Sequence, residues 1–331
     1  MINNKSILIT GGTGSFGQRF IDICLKKYNP KKLIVYSRDE LKQYEMQKKY
    51  SKKNLNKIRF FIGDIRDLPR LKLAMQDVDY VIHAAALKQV PTAEYNPFEV
   101  VKTNVVGSQN VIDAALDSGV KKVLSLSTDK AAAPINLYGT TKLTSDKLFV
   151  AANNFKGKKN ICFSIVRYGN VMGSRGSVIP LFLNQVREKF FTITDPAMTR
   201  FNITLDEGVD FVINSINEMI GGEIFVPKLA SYRITDLANA ISLNKKIKII
   251  GIRPGEKIHE ELITSSDSMN TLEYKNKYII LPNYEFYEDK LNKFKKHYKK
   301  SKKCKLGFTY NSKDNVNFLS VKELKNLILS K

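Results

Sequence analysis

The chain has 331 residues, of which 43% are hydrophobic and 26% are charged, so it is too apolar to be mainly disordered and long enough for one large domain with a smaller lobe, or for two domains. Its 54 basic residues exceed its 32 acidic ones by a formal net charge of +22, which keeps nucleic acid open as a partner. No apolar run reaches the roughly 20 residues that a membrane helix needs, and the short apolar N-terminal run lacks the features of a signal peptide. We therefore expect a cytoplasmic protein without a membrane span. The three scattered cysteines and three histidines predict neither disulfides nor a metal site.

From residue 6 to about residue 167, short β-rich runs alternate with longer helical patterns, which is typical of a parallel sheet built from βα units. Runs such as ILIT, LIVY and YVIHAAA are almost continuously apolar, so we expect helices on both faces of the sheet. The predicted strands are 6–10, 32–37, 58–62, 80–84, 122–127 and 161–167, and the predicted helices include 17–27, 39–50, 97–118 and 138–154. The pattern predicts a Rossmann-like, doubly wound α/β domain over 1–168, a smaller C-terminal substrate-binding lobe over 169–285, some of whose segments return to the first domain, and a lysine-rich segment of unknown role over 286–331.

A glycine-rich loop follows the first predicted strand and opens the first predicted helix. Gly11 permits a tight turn, Gly14 lets a pyrophosphate approach the backbone, and Gly17 lets the helix pack close to the sheet. The free N–H groups at the start of such a helix hold phosphates. An ordinary glycine turn is the alternative, but the position at the first βα junction favours a dinucleotide site. The same loop contributes Thr13, Ser15 and Phe16.

The end of the second predicted strand bears on the choice of cofactor. Arg38 stands where an NAD-selective protein usually has a carboxylate, and a cation there suits the 2′-phosphate of NADP. Ser37 and Lys42 flank it, and Asp39 keeps NAD open as the alternative. Ser37 and Glu40 could instead form a capping box for the next helix. The motif therefore predicts NADP.

Polar residues with possible chemistry follow the fifth predicted strand, at the edge where open α/β sheets bind ligands. Thr128, Asp129 and Lys130 lie there, and Tyr138 and Lys142 follow on the next predicted helix. A spacing of four residues puts Tyr138 and Lys142 on one helix face, where a nearby ammonium favours the phenolate. After the third strand, Asp64 and Ile65 are placed to meet an adenine, although Asp64 could equally be a turn or cap residue.

The motifs together make the chain similar to the extended short-chain dehydrogenase/reductase superfamily, and most similar to its inverting UDP-N-acetylglucosamine 4,6-dehydratases. The resemblance extends from the N-terminus to about residue 265. The matching segments are ITGGTGSFG, YSRDELKQ, FIGDIRD, HAAALKQVPTAEYNP, TNVVGSQNVIDAA, LSTDKAAAPINLYGTTK, RYGNVMGSRGSVIP, ITDPAMTRF, GGEIFVPK and GIRPGEKIHE.

This resemblance implies a redox-neutral loss of water from UDP-N-acetylglucosamine, with inversion at C5, as the first step of pseudaminic acid biosynthesis for surface or flagellar glycans. It implies that Tyr138 takes the proton from O4, that Lys130 takes the proton from C5 and that Asp129 gives a proton to the departing O6. Thr128 would orient the sugar. Tightly bound NADP would take hydride from C4 and return it to C6 in each turnover. As a base, Lys130 needs a lowered pKa, which we expect from burial beside the oxidised nicotinamide. A merely structural Asp129–Lys130 ion pair is the alternative.

The resemblance also implies binding residues and an assembly. For the cofactor it adds Ala84, Ala85, Ala86, Lys88, Asn104, Lys142 and Tyr168. For the sugar nucleotide it implies Lys88, Thr128, Asn170, Arg175, Thr194, Arg200, Arg253 and Glu256, with arginines meeting the diphosphate. Family members assemble as dimers or hexamers, so we expect a homo-oligomer. His83 lies in an apolar strand pattern and is read as a hydrogen-bonded core imidazole.

Two other functions stay open at this point. A UDP-hexose 4-epimerase shares the glycine loop and the Tyr/Lys pair but needs no acid and base at C5 and C6, so the Asp129–Lys130 pair argues against it. A non-catalytic, basic Rossmann protein that binds nucleic acid would fit the net charge, but no nucleic-acid motif supports it, and charge alone gives nonspecific association.

Overall fold

The computed structural model describes residues 2–173, 177–283 and 288–329. Its strands are β1 Ser6–Thr10, β2 Lys32–Ser37, β3 Ile58–Ile62, β4 Tyr80–His83, β5 Lys122–Thr128, β6 Cys162–Tyr168, β7 Asn170–Val171, β8 Phe191–Ile193, β9 Thr199–Ile203, β10 Ile224–Pro227, β11 Ala230–Arg233, β12 Ile247–Ile249, β13 Glu261–Ile263, β14 Thr271–Glu273, β15 Lys277–Ile280, β16 Lys302–Lys303 and β17 Tyr310–Asn311. Its α-helices are α1 Ser15–Lys27, α2 Glu40–Lys48, α3 Lys52–Leu55, α4 Leu68–Ala74, α5 Val90–Tyr95, α6 Pro97–Val101, α7 Gly107–Asp117, α8 Leu137–Phe155, α9 Val178–Asn184, α10 Leu205–Glu218, α11 Ile234–Ile241, α12 Glu288–His297 and α13 Val321–Leu329.

The main sheet has ten strands in the order β16-β14-β15-β10-β6-β5-β4-β1-β2-β3. The strands from β10 to β3 are mutually parallel, and their core order 3-2-1-4-5-6 is that of a doubly wound dinucleotide-binding fold. Beyond β10 the sheet continues antiparallel through β15, β14 and β16. The predicted Rossmann-like fold is confirmed. Its parallel strands bring the carboxyl ends of β1, β2, β4, β5 and β6 to one edge of the sheet.

Both faces of the central parallel strands are buried, as their apolar runs predict, whereas Arg59 and Ile62 are exposed on β3 at the edge of the sheet. In β1, Ile7 and Ile9 pack into one core cluster and Leu8 into the cluster on the opposite face. In β2, Leu33 and Val35 alternate with Ile34 in the same way. Each such buried side chain contributes about 1.5–3 kcal/mol to stability, so the β1–β2 region is a firm base for the loops that follow these strands.

A second group of elements lies after β6. It contains the three-stranded sheet β11-β9-β7 and the strand pairs β12-β8 and β13-β17. Helices α9, α11 and α13 share an apolar core that includes Phe182, Leu237 and Leu324. The lysine-rich region is tied to the main sheet, because β16 pairs with β14 and Tyr298, after α12, packs against the main core.

The helix predicted over 97–118 is divided in the structure. A π-helical turn, Lys102–Val106, joins α6 to α7. Such turns are often found at functional sites. Throughout the described part of the chain, no helix has the length and apolar character needed to cross a membrane.

Candidate active site

The glycine loop between β1 and α1 has the geometry of a phosphate cradle. Gly11 has a φ of +66°, and a Cβ there would lie 3.0 Å from the Ala85 backbone. A Cβ on Gly17 would lie 2.5 Å from the Cα of Gly12, so glycine is required for α1 to pack this closely. Gly14 is the N-cap of α1, and no side chain within the described loop caps the first turn of the helix. The uncapped N–H groups and the positive end of the helix dipole fit an anionic diphosphate, while Thr13, Ser15 and Phe16 border the loop.

The residues that follow β2 divide into buried and exposed groups. The Ser37 hydroxyl is buried and lies 2.8 Å from that of Thr13. Asp39 caps α2 by accepting from the Lys42 N–H at 2.9 Å, and its carboxylate also pairs with the Lys42 ammonium. The proposed Ser37–Glu40 capping box is therefore wrong, since Asp39 is the N-cap. The Arg38 side chain is 52% exposed at this edge, with one long contact of 3.4 Å to Asp64.

The two residues expected near an adenine are already in contact with protein groups. The Asp64 carboxylate accepts hydrogen bonds from the Arg66 backbone and guanidinium at 2.8–3.0 Å. Burial alone would raise the pKa of Asp64, but the Arg66 hydrogen bonds and the Arg38 charge hold it below its usual range. Ile65 is buried and packs in the core of the sheet, close to Gly107. Asp64 therefore holds the turn after β3, and Ile65 supports the start of α7.

The loop after β4 is held by a buried polar network. The Thr10 hydroxyl accepts from the N–H groups of Ala84 and Ala85 at 3.2 Å, and Ala86 is the next residue. Asn104, in the π-helical turn, is 1% exposed and forms two hydrogen bonds of 2.8 Å with the Leu87 backbone. Asn104 therefore sets the course of the loop that borders the site.

His83 belongs to the same network. Its ring nitrogens lie 2.8 Å from the Thr10 hydroxyl and 3.3 Å from the Ser108 hydroxyl. Complete burial, with a smaller effect of the Lys142 charge, lowers the pKa of His83 to about 3. His83 is therefore a neutral, hydrogen-bonded core residue.

The centre of the site is the turn Asp129–Ala131 directly after β5. Asp129 is fully buried, and its Oδ1 accepts from the Thr128 hydroxyl at 2.9 Å and from the Lys130 ammonium at 3.0 Å. The Lys130 ammonium also lies 3.3 Å from Asn170 Oδ1 and 3.2 Å from Glu260 Oε1. Three acceptors thus hold the three ammonium protons in one fixed arrangement.

The protonation of Lys130 differs from the expectation. Burial alone would lower the pKa of Lys130, but the carboxylates of Asp129 and Glu260 raise it above its ordinary value. Burial raises the pKa of Asp129, helped by Glu260 and opposed by Lys130. Burial therefore does not lower the pKa of Lys130 in this geometry, because Asp129 and a second carboxylate, Glu260, lie beside the ammonium. The Asp129–Lys130 ion pair is present.

Tyr138 and Lys142 lie on the buried side of α8. Asn136 caps this helix by accepting from the Gly139 N–H at 2.8 Å. Burial raises the pKa of the Tyr138 phenol to about 12, and the Lys130 ammonium is the largest influence in the opposite direction. The sequence pattern assigned that effect to Lys142. Burial lowers the pKa of Lys142, and the Asp146 carboxylate one turn later opposes this change.

The residues expected to bind a sugar nucleotide occupy varied environments. Arg200 is buried and donates to the carbonyls of Thr199, Lys257 and Ile258 at 2.8–2.9 Å, so it braces the segment before β13. Thr194 is buried and donates to Met198. The other expected residues are Asn170 beside Lys130, the exposed Lys88 and Arg253, and the half-buried Glu256. Tyr168, which was expected near the cofactor, lies at the end of β6. Arg175 lies outside the described residues.

Sequence reasoning missed three residues that the structure places at the centre. Glu260 ends the segment GIRPGEKIHE, from which Arg253 and Glu256 were selected, and it faces Lys130. The Lys257 ammonium donates to the Ala132 carbonyl at 2.6 Å and so ties this segment to the catalytic turn. Asp146 follows Lys142 by four residues, a spacing that repeats the Tyr138–Lys142 interval and could have identified it.

Comparison with known sequences gives a consistent family. The model for the polysaccharide biosynthesis protein family matches residues 7–282. A UDP-N-acetylglucosamine 4,6-dehydratase (inverting) from Campylobacter jejuni is 55% identical over 99% of this chain and 98% of its own. A protein named UDP-glucose 4-epimerase from Rickettsia bellii is 42% identical over 100% of this chain and 97% of its own.

Solved structures share the fold. Pen from Bacillus thuringiensis is 40% identical, covers 100% of this chain and 98% of its own, and superimposes with a TM-score of 0.89. The dTDP-glucose 4,6-dehydratase DesIV from Streptomyces venezuelae, solved with NAD and TYD bound, is 21% identical, covers 76% of this chain and 86% of its own, and has a TM-score of 0.67. The second likeness concerns the fold alone.

Proposed function

Because this chain belongs to the polysaccharide biosynthesis protein family and is 55% identical to an inverting dehydratase, we propose that it removes water from UDP-N-acetylglucosamine and inverts C5. The product would be UDP-2-acetamido-2,6-dideoxy-β-L-arabino-4-hexulose. The observation that carries the proposal is the arrangement of Asp129, Lys130 and Tyr138 at the carboxyl edge of the sheet. Lys130 contacts Asp129, and its charge is the largest influence that opposes the raised pKa of Tyr138. An acid, a base and a phenol therefore meet in one place.

The residues of this chain fit a nicotinamide dinucleotide. Gly11, Gly14 and Gly17 shape the loop, and the uncapped start of α1 faces the position of a diphosphate. We infer NADP rather than NAD, since Arg38 is exposed at the end of β2 while the Asp39 carboxylate is committed to capping α2 and to Lys42. When bound, the cofactor supplies reversible hydride transfer, from C4 of the sugar and back to C6.

The side chains supply the proton transfers. Tyr138 takes the proton of O4 once its phenol is deprotonated, a state that burial disfavours and the Lys130 ammonium favours. The Lys142 ammonium on the same helix face would hold the cofactor's ribose. The Lys130 amine then takes the proton from C5, which is acidic beside a C4 ketone. The Asp129 carboxylic acid donates its proton to O6, so the C6–O6 bond breaks and water departs. Return of hydride to C6 would leave an enolate, and a proton added to C5 on the opposite face would give the inverted ketone. A general acid and a general base each contribute on the order of 10²- to 10⁴-fold.

These roles require a proton to move within the Asp129–Lys130 pair. At rest the pair is an ammonium and a carboxylate joined at 3.0 Å. Transfer of one proton from Lys130 Nζ to Asp129 Oδ1 produces the amine and the acid that the reaction uses, without changing the total charge. The raised pKa of the buried Asp129 favours this transfer, whereas the raised pKa of Lys130 opposes it. The abstraction at C5 and the departure of water then restore the ion pair.

The test is incubation of the purified protein with UDP-N-acetylglucosamine alone. We expect a 4-keto-6-deoxy product that has lost one water and, in D₂O, carries deuterium at C5, measured by mass spectrometry and NMR. Lys130→Met should lower kcat by about 10²- to 10⁴-fold, since the base is lost. Lys147→Met, at an exposed position of the same helix that carries Tyr138, is the matched control. Unchanged substrate with folded, cofactor-loaded protein would reject the proposal.

A UDP-hexose 4-epimerase is the second candidate, favoured by the 42% identity to the Rickettsia bellii protein of that name. An epimerase returns hydride to C4 and needs no proton donor at O6. The fully buried Asp129 beside Lys130 therefore argues for dehydration. The same experiment separates the two reactions, because epimerisation leaves the mass unchanged.

The biological setting belongs to the same proposal. A keto-deoxy sugar nucleotide with an inverted C5 suits the first step of pseudaminic acid biosynthesis for surface or flagellar glycans. A cytoplasmic homo-oligomer is the expected working form. The 55% identity over nearly the whole of the Campylobacter jejuni dehydratase supports this setting.

A further inference from the structure

We propose that Glu260 is a positioning residue for the dehydration: its carboxylate, 3.2 Å from the Lys130 nitrogen, holds that nitrogen beside Asp129 and adds a negative charge next to the acid–base pair. The inference rests on the proposed function. Glu260 lies in the segment before β13, 130 residues away from Lys130 in sequence, so only the fold brings the two together.

The first support is the geometry of the Lys130 ammonium. Asp129 Oδ1, Glu260 Oε1 and Asn170 Oδ1 lie 3.0, 3.2 and 3.3 Å from its nitrogen. An ammonium has three protons, so these acceptors fix both its position and its rotation. The Asp129 and Asn170 contacts alone would leave the third proton without an acceptor.

The second support is the burial of the two carboxylates. Asp129 is 0% exposed and Glu260 is 2% exposed. Within the described ranges, Asp129 Oδ2 and Glu260 Oε2 are buried oxygens without hydrogen-bond partners. Such oxygens are costly to bury and are rare in folded proteins, so their presence beside a lysine calls for a functional explanation.

The third support is the set of charges around Glu260. Lys130 faces it from the turn after β5, Arg200 approaches from β9 at 3.7 Å, and Lys257 is on its own segment. Burial alone would raise the pKa of Glu260, but these three cations hold it below its usual range. Glu260 therefore stays anionic, while the neighbouring Asp129 has a raised pKa. Paired carboxyl groups whose environments separate their pKa values in this way are typical of acid–base sites.

The proton balance follows from these charges. At rest the three groups are an Asp129 carboxylate, a Lys130 ammonium and a Glu260 carboxylate, with a total charge of −1. After the proton passes to Asp129 they are an acid, an amine and a carboxylate, again −1. The Glu260 charge raises the pKa of both Lys130 and Asp129, so it makes the amine a stronger base and keeps the acid protonated to higher pH.

The decisive variant is Glu260→Gln, which keeps an acceptor oxygen near Lys130 and removes the charge. Both limbs of the pH profile of kcat/KM should move to lower pH by at least half a unit, because the macroscopic pKa values of the pair fall. At the optimum, kcat should fall about ten-fold while KM for UDP-N-acetylglucosamine stays within two-fold. Glu261→Gln, the adjacent half-buried carboxylate on β13, is the matched control and should keep the parent profile.

Glu260→Asp keeps the negative charge and shortens the side chain, so it tests the contact with Lys130 and not the charge. It should keep the pH limbs close to the parent's and lower kcat, because the shorter side chain loses the Lys130 contact. A Glu260→Gln profile that superimposes on the parent's would overturn the inference. If Glu260→Gln does not fold, an Asp variant with parent kcat would overturn it and one with reduced kcat at unchanged KM would support it. A parent protein that makes no keto sugar would reject the proposed function itself, independently of these variants.

Discussion

Arg38 is the residue on which the choice between the two nicotinamide cofactors depends. Its neighbours have other partners: Ser37 contacts Thr13, and Asp39 caps α2. Half of the Arg38 side chain is exposed, and its one ion pair is long. A guanidinium in this situation can pair with a 2′-phosphate through charge-assisted hydrogen bonds, whereas NAD has only a hydroxyl at that position.

Arg38→Ala should therefore weaken NADP binding by at least ten-fold, since a hydrogen bond to a charged group contributes about 1.5–3 kcal/mol. NAD binding should stay within two-fold. Fluorescence titration of cofactor-depleted protein measures both constants. Arg59→Ala is the control for the loss of a positive charge. Arg59 lies near the start of β3, at the edge of the sheet opposite the carboxyl ends of the strands. Equal weakening of NAD and NADP would contradict the assignment.

At the residue scale, local patterns identified side chains but not their partners. Asp129, Lys130, Tyr138 and Lys142 were found because strand ends and helix spacing are local. The pKa of Lys130 is raised by Asp129, its neighbour in sequence, and further by Glu260, whose part could not be foreseen because only tertiary structure brings it near. The environment of Arg200 could not be foreseen either, because it donates hydrogen bonds to carbonyls of a segment almost sixty residues later.

At the scale of elements, α8 links the catalytic face to the interior of the protein. Tyr138, Lys142 and Asp146 follow one another at four-residue intervals and are all buried. Asp146 accepts from the Ser127 hydroxyl at 2.7 Å and pairs with the buried Arg167 at 3.3 Å. One carboxylate therefore joins α8 to β5 and β6 and also supports the charge of Lys142.

Asp146→Asn should lower the free energy of unfolding by about 3–5 kcal/mol, because removal of one partner leaves Arg167 as a buried charge with a weaker counterpart. Urea unfolding followed by circular dichroism measures the change. Asp117→Asn, which removes an exposed ion pair with Lys72, should cost no more than about 1 kcal/mol. Similar losses in the two variants would show that the buried network does not stabilise the fold as described.

The elements themselves were largely predictable. The strands expected at 6–10, 32–37 and 58–62 have those bounds, and the fifth differs by one residue, because continuous apolar runs bounded by turns indicate buried parallel strands. The π-helical turn within 97–118 was not predicted. In the structure its Asn104 forms two hydrogen bonds with the Leu87 backbone, a tertiary contact that the local sequence does not reveal. The packing of Ile65 beside Gly107 is likewise a tertiary contact that the local sequence does not reveal.

For the whole molecule, the buried neutral His83 links stability to pH. Its pKa is about 3 in the fold and about 6.5 in an unfolded chain. Between these values the unfolded chain binds a proton that the folded protein does not, so stability is present above pH 6.5 and is lost as pH falls toward 3.

Lowering the pH from 6.5 to 5 should thus cost about 2 kcal/mol through His83 alone, at about 1.4 kcal/mol per pH unit. His83→Asn should remove this part of the acid-side slope, whatever its stability at neutral pH. Urea unfolding of both proteins at pH 7.5, 6.0 and 5.0 supplies the comparison. Parallel slopes for the parent and the variant would contradict a buried neutral imidazole.

The basic segment forms one edge of the main sheet, the edge opposite β3. In the described part of the chain, this edge is β16, a strand of two exposed lysines paired with β14. An unpaired strand edge offers hydrogen-bonding groups to any other extended chain, which is how folded proteins begin to aggregate. A very short strand whose side chains carry like charges repels an incoming copy before its backbone can align. The like charges of these two lysines therefore disfavour strand addition at this edge.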